Sequence, residues 1–427
     1  MLVAIKRHIP LLFIICTIIG AGVFYDKLYP FHLALIPFIF FNWIPELFQQ
    51  KKALNYQLFF GIFIGYYLIS VIGTTSPVLG IKYCVLLFFG FVIIESIKNV
   101  AQHNGLSYLL KWMSIIFGFE ILVAVLEVGT HFRWPFSPYS SYLNYFGKSD
   151  LFTRQISLAE NWSQRSIATG FRWNPNDLST TLAILWPFTL LIKQRVIKIG
   201  LVTLFPLIVI ANSSRAVILA MVMITVIYFV IQTDWKKWKN WLVIALVSSS
   251  LIVLFQIDNP IIKTYTSPIS DASRAVYLML NSNEKDGSSV SVRSELISDA
   301  FVTLKRTHFL GVGAGQSPNI QIEQKSFGNH VTSLHNFWME ILVEGGILIF
   351  LMVAMGYGYL TLKLYRIYSQ KTDYSMIALC AFLSLIGFAL AGISCSSVIY
   401  LFPMWILLGL SIAIIHLHES TSTSRPK

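Results

Sequence analysis

Residues 336–362 read NFWMEILVEGGILIFLMVAMGYGYLTL, an apolar run in which Glu340 and Glu344 are the only charged side chains. About 20 apolar residues are enough for a helix to cross the hydrocarbon core of a bilayer. The run therefore predicts a transmembrane helix. Carboxylates at that depth are expected to face a protein interior, because exposing them to lipid is costly.

Composition extends this prediction from one helix to the whole chain. Of the 427 residues, 55% are hydrophobic and only 12% are charged, whereas about a quarter of the residues of a soluble domain are charged. The sequence predicts an all-α integral membrane protein, with one polytopic membrane domain over residues 1–427. The twelve predicted spans are 9–25, 30–48, 57–73, 80–97, 107–128, 177–192, 197–212, 215–232, 240–257, 336–362, 375–392 and 396–416.

The basic residues between the spans predict the orientation. An even number of spans places both termini on one side, and the short loops on that side hold sixteen Lys and Arg residues. The short loops on the other side hold Lys27 and Arg215, with Lys82 at a helix edge. The positive-inside rule therefore predicts that both termini are cytoplasmic. The same distribution accounts for the net charge of +12 without a nucleic-acid partner, and the expected surroundings are membrane lipid.

Two segments are too long and too polar to be simple connections, namely 129–177 and 258–335. Both are predicted to be periplasmic loops, on the side opposite to the termini. The first is rich in aromatic residues, and the second contains a helix-like stretch from Ser291 to Leu304. Long ordered loops are usually functional, so the chemistry is expected there or at the adjoining helix ends.

Two arginines at these loops are candidates for binding an anion. Arg215 follows Asn-Ser-Ser between two apolar runs, where it either snorkels to the membrane surface or contacts a ligand. Arg293 lies in the helix-like stretch, where it either pairs with Glu295 or Asp299 in solvent or takes a functional role. Spacing alone leaves both alternatives open.

A histidine precedes the quoted span. His335 is a candidate general base, because histidine is the side chain most often used for proton transfer near neutral pH. His308 and His330 lie in the same loop, but their spacing fits no standard zinc pattern. The four cysteines lie in apolar segments and form no Cys-x-x-Cys pair. We therefore predict neither a metal nor another cofactor.

Two further motifs contain turn-forming residues. Gly311, Gly313 and Gly315 form a Gly-x-Gly-x-Gly pattern, which either cradles a phosphate with backbone N–H groups or forms a tight loop that re-enters the membrane domain. No Walker lysine accompanies it, which favours the tight loop. The sequence Asn174-Pro-Asn176-Asp predicts a turn and a helix N-cap, with substrate contact as the alternative.

Taken together and in this order, the motifs between roughly residues 160 and 360 resemble the O-antigen ligase and polymerase superfamily. His335-Asn336, nine residues and then Gly346 fit the ligase pattern, while position 349 is Ile where that pattern has a small residue. The motifs that carry the likeness are Asn174-Pro-Asn176, Ser213-Ser-Arg215-Ala, Arg293, the glycines from Gly311 to Gly315, and His335-Asn336 followed by Glu344-Gly-Gly346.

The resemblance implies a GT-C-like glycosyltransferase architecture and an enzyme that takes a glycan en bloc from undecaprenyl diphosphate. His335 would then accept the proton of an acceptor sugar hydroxyl. Arg215 and Arg293 would stabilise the diphosphate leaving group without a metal, and the anomeric carbon would be inverted. The resemblance also assigns substrate contact to Asn174, Asn176, Gly311, Gly313, Gly315 and Asn336.

The acceptor distinguishes two functions of this kind. We favour an O-antigen ligase, which joins O-antigen to lipid A-core in lipopolysaccharide biosynthesis. The alternative is a repeat-unit polymerase, whose acceptor is a growing glycan. A secondary transporter is a third interpretation, against which stand the lack of a repeat between the two halves and the few charged residues inside the spans.

Overall fold

The computed structural model describes residues 2–49, 55–130, 132–148, 167–212, 214–232, 289–324 and 333–423. Within these ranges the chain forms helices and no β-strands, and seven helices are long and apolar enough to cross a membrane. The protein is therefore an all-helical, multi-pass membrane protein. The seven are Pro30–Phe48, Asn55–Gly73, Pro77–Asn104, Leu106–Gly129, Arg215–Gln232, Phe337–Ser369 and Phe402–Thr421.

The α-helices are numbered here in chain order over the described ranges. Short 3-10 turns extend several of them, and a π-helical turn at Ile39–Trp43 joins the second helix to the third. The helices are α1 (Leu2–Ile19), α2 (Pro30–Phe38), α3 (Ile44–Gln49), α4 (Asn55–Ser70), α5 (Pro77–Asn104), α6 (Leu106–Gly129), α7 (Pro175–Leu185), α8 (Arg195–Ala211), α9 (Arg215–Gln232), α10 (Ser289–Arg306), α11 (Ser317–Gln324), α12 (Phe337–Ser369), α13 (Ser375–Ala391) and α14 (Phe402–Thr423).

Helix α13 lies at the centre of the packing, because most of its side chains are buried and it contacts α7, α9, α12 and α14. Helix α5 packs along α14, where a Cβ on Gly90 would lie 2.4 Å from the ring of Trp405. Small residues at a crossing point allow membrane helices to approach closely. Large apolar side chains such as Phe48 and Ile72 remain on the outer surface, as expected where lipid is the solvent.

The helix predictions are confirmed for the central spans. The predicted spans 80–97, 107–128 and 215–232 lie inside α5, α6 and α9. The helix-like stretch Ser291–Leu304 lies inside α10. The predicted span 240–257 falls outside the described residues.

Three predicted spans have wrong boundaries. The span 9–25 runs too late, since α1 ends at Ile19 and is followed by only a 3-10 turn at Gly20–Gly22. The span 396–416 begins too early, since residues 393–401 form no helix and α14 begins at Phe402.

The span 177–192 begins inside the short helix α7, which gives way to a 3-10 helix at Trp186–Leu191. Pro187 lies at this change and has no N–H to donate, which ends the regular α-helical pattern.

Candidate active site

His335 lies immediately before helix α12, in a backbone conformation that its own helix cap helps to define. Asn336 is the N-cap residue, and its Oδ1 accepts hydrogen bonds of 3.1 Å from the N–H groups of Trp338 and Met339. His335 has a φ of +47°, the left-handed region that non-glycine residues rarely occupy. The cap and this turn together place the imidazole at the N-terminal end of α12.

The two candidate arginines come from other helices, and one of them, Arg293, acts electrostatically on this histidine. Arg215 is the first residue of α9, and Arg293 lies in α10. Burial and the positive charge of Arg293 lower the pKa of His335 to about 4. Burial and the charge of Arg215 lower the pKa of Arg293, against an opposing effect of Cys395. Arg293 thus lies within electrostatic range of both Arg215 and His335.

The low pKa of His335 determines its protonation state. At neutral pH its imidazole carries no positive charge, so it can accept a proton. Its Nδ1 is buried and has no hydrogen-bond partner in the described part of the chain. Buried polar atoms are seldom left without a partner, and at a functional site such an atom is available to a substrate.

The asparagines at the start of α7 form the predicted turn. Asn174 is the N-cap, and its Oδ1 accepts a hydrogen bond of 2.8 Å from the N–H of Asn176, which confirms the cap. The Oδ1 of Asn176 accepts from the Ser214 hydroxyl at 2.9 Å. The Nδ2 of Asn212 donates to the carbonyl of Pro175 at 3.2 Å. The turn before α7 is therefore bound to the turn from which α9 begins.

Two carboxylates of α6 hold the segment that leads into this turn. Glu127 accepts hydrogen bonds of 2.8 Å from the N–H groups of Thr169 and Gly170. Glu120 forms a buried ion pair of 2.8 Å with Arg172. Neither glutamate was singled out by the sequence reasoning, although a carboxylate in an apolar span is itself a signal of a buried partner.

The glycine loop fills a notch in α12. Gly346 interrupts that helix with a φ of +73°, and a Cβ on Gly311 would lie 2.6 Å from backbone atoms of Glu344 and Gly346. The N–H of Gly313 donates to the Glu344 carbonyl at 3.0 Å, and that of Gly315 donates to Glu344 Oε2 at 3.1 Å. These amides are occupied by protein oxygens, which matches the tight loop rather than the phosphate cradle.

A non-helical segment, residues 393–401, lies beside these elements and is bound from two sides. Asp177 accepts hydrogen bonds from the N–H and the hydroxyl of Ser396, at 2.8 and 2.7 Å. Glu340 accepts from the Ser397 hydroxyl at 2.8 Å and from the N–H of Val398 at 3.3 Å. The sequence reasoning assigned residues 396–401 of this segment to a span. The run Ser394-Cys-Ser-Ser397 in an apolar region was the signal against that assignment.

Candidate metal ligands do not converge in the described ranges, where no group of three His, Cys, Asp or Glu residues is placed to hold an ion. His308 is exposed at the end of α10, and His330 lies outside the described residues. Arg293 is the cation whose charge acts on His335, and Arg215 in turn acts on Arg293.

The fold and the site define a class: a multi-pass helical membrane protein with a cationic, histidine-containing site built at helix ends. Residues 199–354 match the model of a family described as O-antigen ligase, and this range contains Arg215, Arg293 and His335. The resemblance drawn from the sequence is confirmed over this range.

A curated relative extends the similarity beyond that range. The chain is 26% identical over 377 residues to the teichuronic acid biosynthesis protein TuaE of Bacillus subtilis (strain 168). The alignment covers 84% of this chain and 71% of that protein. The chain is thus similar to an O-antigen ligase family over residues 199–354 and to a teichuronic acid biosynthesis protein over most of its length.

Proposed function

We propose that the protein transfers a glycan en bloc from undecaprenyl diphosphate to a sugar hydroxyl, at the periplasmic face of a bacterial inner membrane. The observation that carries this proposal is that Arg293 lies within electrostatic range of both Arg215 and His335, which belong to two other segments of the chain. Two cations and one neutral imidazole are the groups that such a transfer requires. The match to the O-antigen ligase family over the same residues supports it.

The arginines stabilise the leaving group. As the bond between the anomeric carbon and the diphosphate oxygen breaks, that oxygen keeps the electron pair and negative charge develops on the diphosphate. A guanidinium binds phosphate oxygens bidentately and stays protonated, so Arg215 and Arg293 lower the barrier without a metal. The diphosphate itself supplies the driving force, because no nucleotide is needed at this face.

The histidine activates the acceptor. The acceptor hydroxyl attacks the anomeric carbon from the face opposite the diphosphate, its proton passes to His335, and the configuration inverts. The positive charge of Arg293 lowers the pKa of His335. A bound diphosphate offsets that charge, so donor binding makes the imidazole a stronger base at the moment when it must accept a proton.

An apolar groove in the protein is further evidence for a donor that is linked to a lipid. It has a volume of about 430 Å³ and is lined by side chains of α4, α12 and α14. It includes Phe337 and Val398, which lie close in sequence to His335 and Ser397. A groove of this kind provides apolar surface for a polyprenyl chain whose diphosphate lies at the arginines.

Two candidate functions differ in the acceptor that receives the glycan. An O-antigen ligase would use lipid A-core as acceptor, and the name of the matched family supports this choice. A repeat-unit polymerase would use a growing glycan, and the name of the B. subtilis relative, which concerns teichuronic acid rather than lipopolysaccharide, supports that choice. The remaining substrate contacts proposed from the family, at Asn174, Asn176, Asn336 and the three loop glycines, are the same in both.

The decisive experiment is an envelope-glycan gel of a host lacking the gene, complemented with wild type, His335→Ala or His308→Ala. His308 is a matched control, because it has a similar left-handed φ of +50° but lies exposed at the end of α10. His335→Ala is expected to resemble the deletion, and His308→Ala the wild type.

The glycan profile then separates the candidates. Bare lipid A-core with polymer accumulating on its lipid carrier identifies a ligase, whereas a core bearing a single repeat unit identifies a polymerase. An unchanged profile in the deletion strain, with no second copy of the gene, overturns both the ligase and the polymerase. It would favour the secondary transporter instead.

A further inference from the structure

The conformation of His335 is stabilised by a side chain two residues earlier. A φ of +47° is unfavourable for histidine and persists only where surrounding contacts hold it. The N–H of His335 donates a hydrogen bond of 3.2 Å to the hydroxyl oxygen of Ser333. This contact closes the turn that carries the imidazole.

Ser333 is itself fixed by the segment 393–401. Its hydroxyl donates to the carbonyl of Ser396. A serine hydroxyl has one proton to donate and lone pairs to accept. With the proton directed at Ser396, the oxygen of Ser333 is oriented to accept from His335.

Ser396 is in turn bound by a carboxylate of α7. Asp177 is buried, and its two oxygens accept separately from the N–H and the hydroxyl of Ser396, at 2.8 and 2.7 Å. Charge-assisted hydrogen bonds of this length are among the stronger ones in proteins. A continuous chain of hydrogen bonds therefore runs from Asp177 through Ser396 and Ser333 to the backbone of His335.

We propose that Asp177, Ser396 and Ser333 are positioning residues that set the place of the His335 imidazole for proton transfer. The role in transfer rests on the proposed function, whereas the control of the histidine's position does not. Misplacement of a catalytic group by about 1 Å can reduce turnover by about 100-fold. None of the three residues needs to touch substrate for this effect.

A second carboxylate makes the proposal testable without unfolding the site. Glu340 binds the next two residues of the same segment, Ser397 and Val398. Removal of the Ser333 hydroxyl therefore leaves residues 393–401 attached to α12 and, through Asp177, to α7. The expected change is confined to the turn that carries His335.

The experiment uses the purified full-length chain in detergent and measures the rate at which diethylpyrocarbonate modifies His335, read by peptide mass spectrometry. The variants are Ser333→Ala and Ser333→Thr, with Ser394→Ala as the matched control. Ser394 is a buried serine of the same region whose hydroxyl donates only locally, to the carbonyl of Ala391 at 3.0 Å. His308 in each sample is the internal reference.

Ser333→Ala is expected to change the modification rate of His335 severalfold, while His308 is unaffected. Ser333→Thr, which keeps the hydroxyl, and Ser394→Ala are expected to behave as wild type. With lipid-linked glycan extracted from the deletion strain as donor, Ser333→Ala should lower turnover by about 10- to 100-fold at an unchanged half-saturating donor concentration. Equal behaviour of Ser333→Ala and Ser394→Ala in the modification assay overturns the proposal.

Failure of the proposed function gives a different pattern. If His335→Ala retains transfer, the histidine is not the base, yet the modification assay still decides whether Ser333 positions it. If His335→Ala abolishes transfer and Ser333→Ala reacts and turns over as wild type, only the positioning role is lost.

Discussion

The hydroxyl of Ser214 donates to the Oδ1 of Asn176 at 2.9 Å. This hydrogen bond joins two motifs that lie 38 residues apart. It connects the turn before α7 to the residue that directly precedes Arg215. The place of this arginine thus depends on a motif that carries no charge of its own.

That contact predicts a coupled pair. Asn176→Ala and Ser214→Ala are each expected to lower transfer, because either loosens the turn that presents Arg215. The double variant should transfer no more slowly than the less active of the two single variants, because the effects of substitutions at residues in contact do not add. Transfer rates of the four proteins measure the coupling, with Asn144→Ala, an exposed loop asparagine, as control. Additive losses would show that the two side chains act separately.

The arginines should be needed for the chemical step. Arg215→Ala and Arg293→Ala are each expected to lower turnover by about 100-fold, as for removal of one group that stabilises developing charge. Lysine at either position should restore only part of the rate, because an ammonium cannot bind phosphate bidentately. Arg306→Ala, at the exposed end of α10, is the matched control. Full activity of either alanine variant would remove the leaving-group role.

The pH dependence of His335 should show the influence of Arg293. The pKa of His335 is lowered to about 4 by burial and by that charge, so its modification by diethylpyrocarbonate should reach half its maximum near pH 4. Arg293→Met should raise this midpoint, although burial keeps it below the ordinary value of about 6.5. Arg293→Lys retains the charge and should change it less. An unmoved midpoint in Arg293→Met would show that the two side chains are not in electrostatic contact.

The sign of the linked stability follows from the same shift. The unfolded chain binds a proton at His335 below about pH 6.5, whereas the folded protein does so only below about pH 4. The free energy of unfolding that this residue contributes is full above pH 6.5. It declines as the pH falls towards 4 and is constant below that value.

The buried ion pair of Glu120 and Arg172 should matter more for stability than an exposed pair of the same length. Arg172→Met leaves Glu120 buried without its cation, which is expected to cost about 3–5 kcal/mol. Lys363 and Glu419 also lie 2.8 Å apart, but their side chains are 29% and 51% exposed, so Lys363→Met should cost less than about 1 kcal/mol. Unfolding by SDS in mixed micelles measures the free energy of unfolding of both variants. Similar losses of stability would contradict the larger role given to the buried pair.

Glycine is required at position 311 for space as well as for conformation. Gly311 and Gly105 have nearly the same φ, +86° and +90°, but a Cβ at 311 would meet the backbone at 2.6 Å whereas one at 105 meets nothing within 4 Å. Gly105→Ala should cost about 1 kcal/mol through its backbone conformation alone. Gly311→Ala should cost clearly more, in the same unfolding assay. Equal costs would mean that the loop can withdraw from the notch at Gly346.

Local features of this protein were predictable because they depend on residues close in sequence. The caps at Asn174 and Asn336 bond to amides two or three residues away, and the helices α5, α6 and α9 follow from apolar length. The late start of α14 had one local signal, the polar run Ser394-Cys-Ser-Ser397, but its cause is not local. The N–H groups of Ser396 and Val398 bond to carboxylates of α7 and α12 instead of continuing a helix.

Apolar length is enough to predict a multi-pass helical membrane protein from the sequence, and the few polar residues stand out against that apolar background. Hydrophobic length and local capping act on residues close in sequence. The packed helices are needed to see that Arg293 lies within electrostatic range of both Arg215 and His335, and that Asp177 binds Ser396, 219 residues further along the chain. These contacts depend on how all the helices pack against one another, and no local pattern encodes that arrangement.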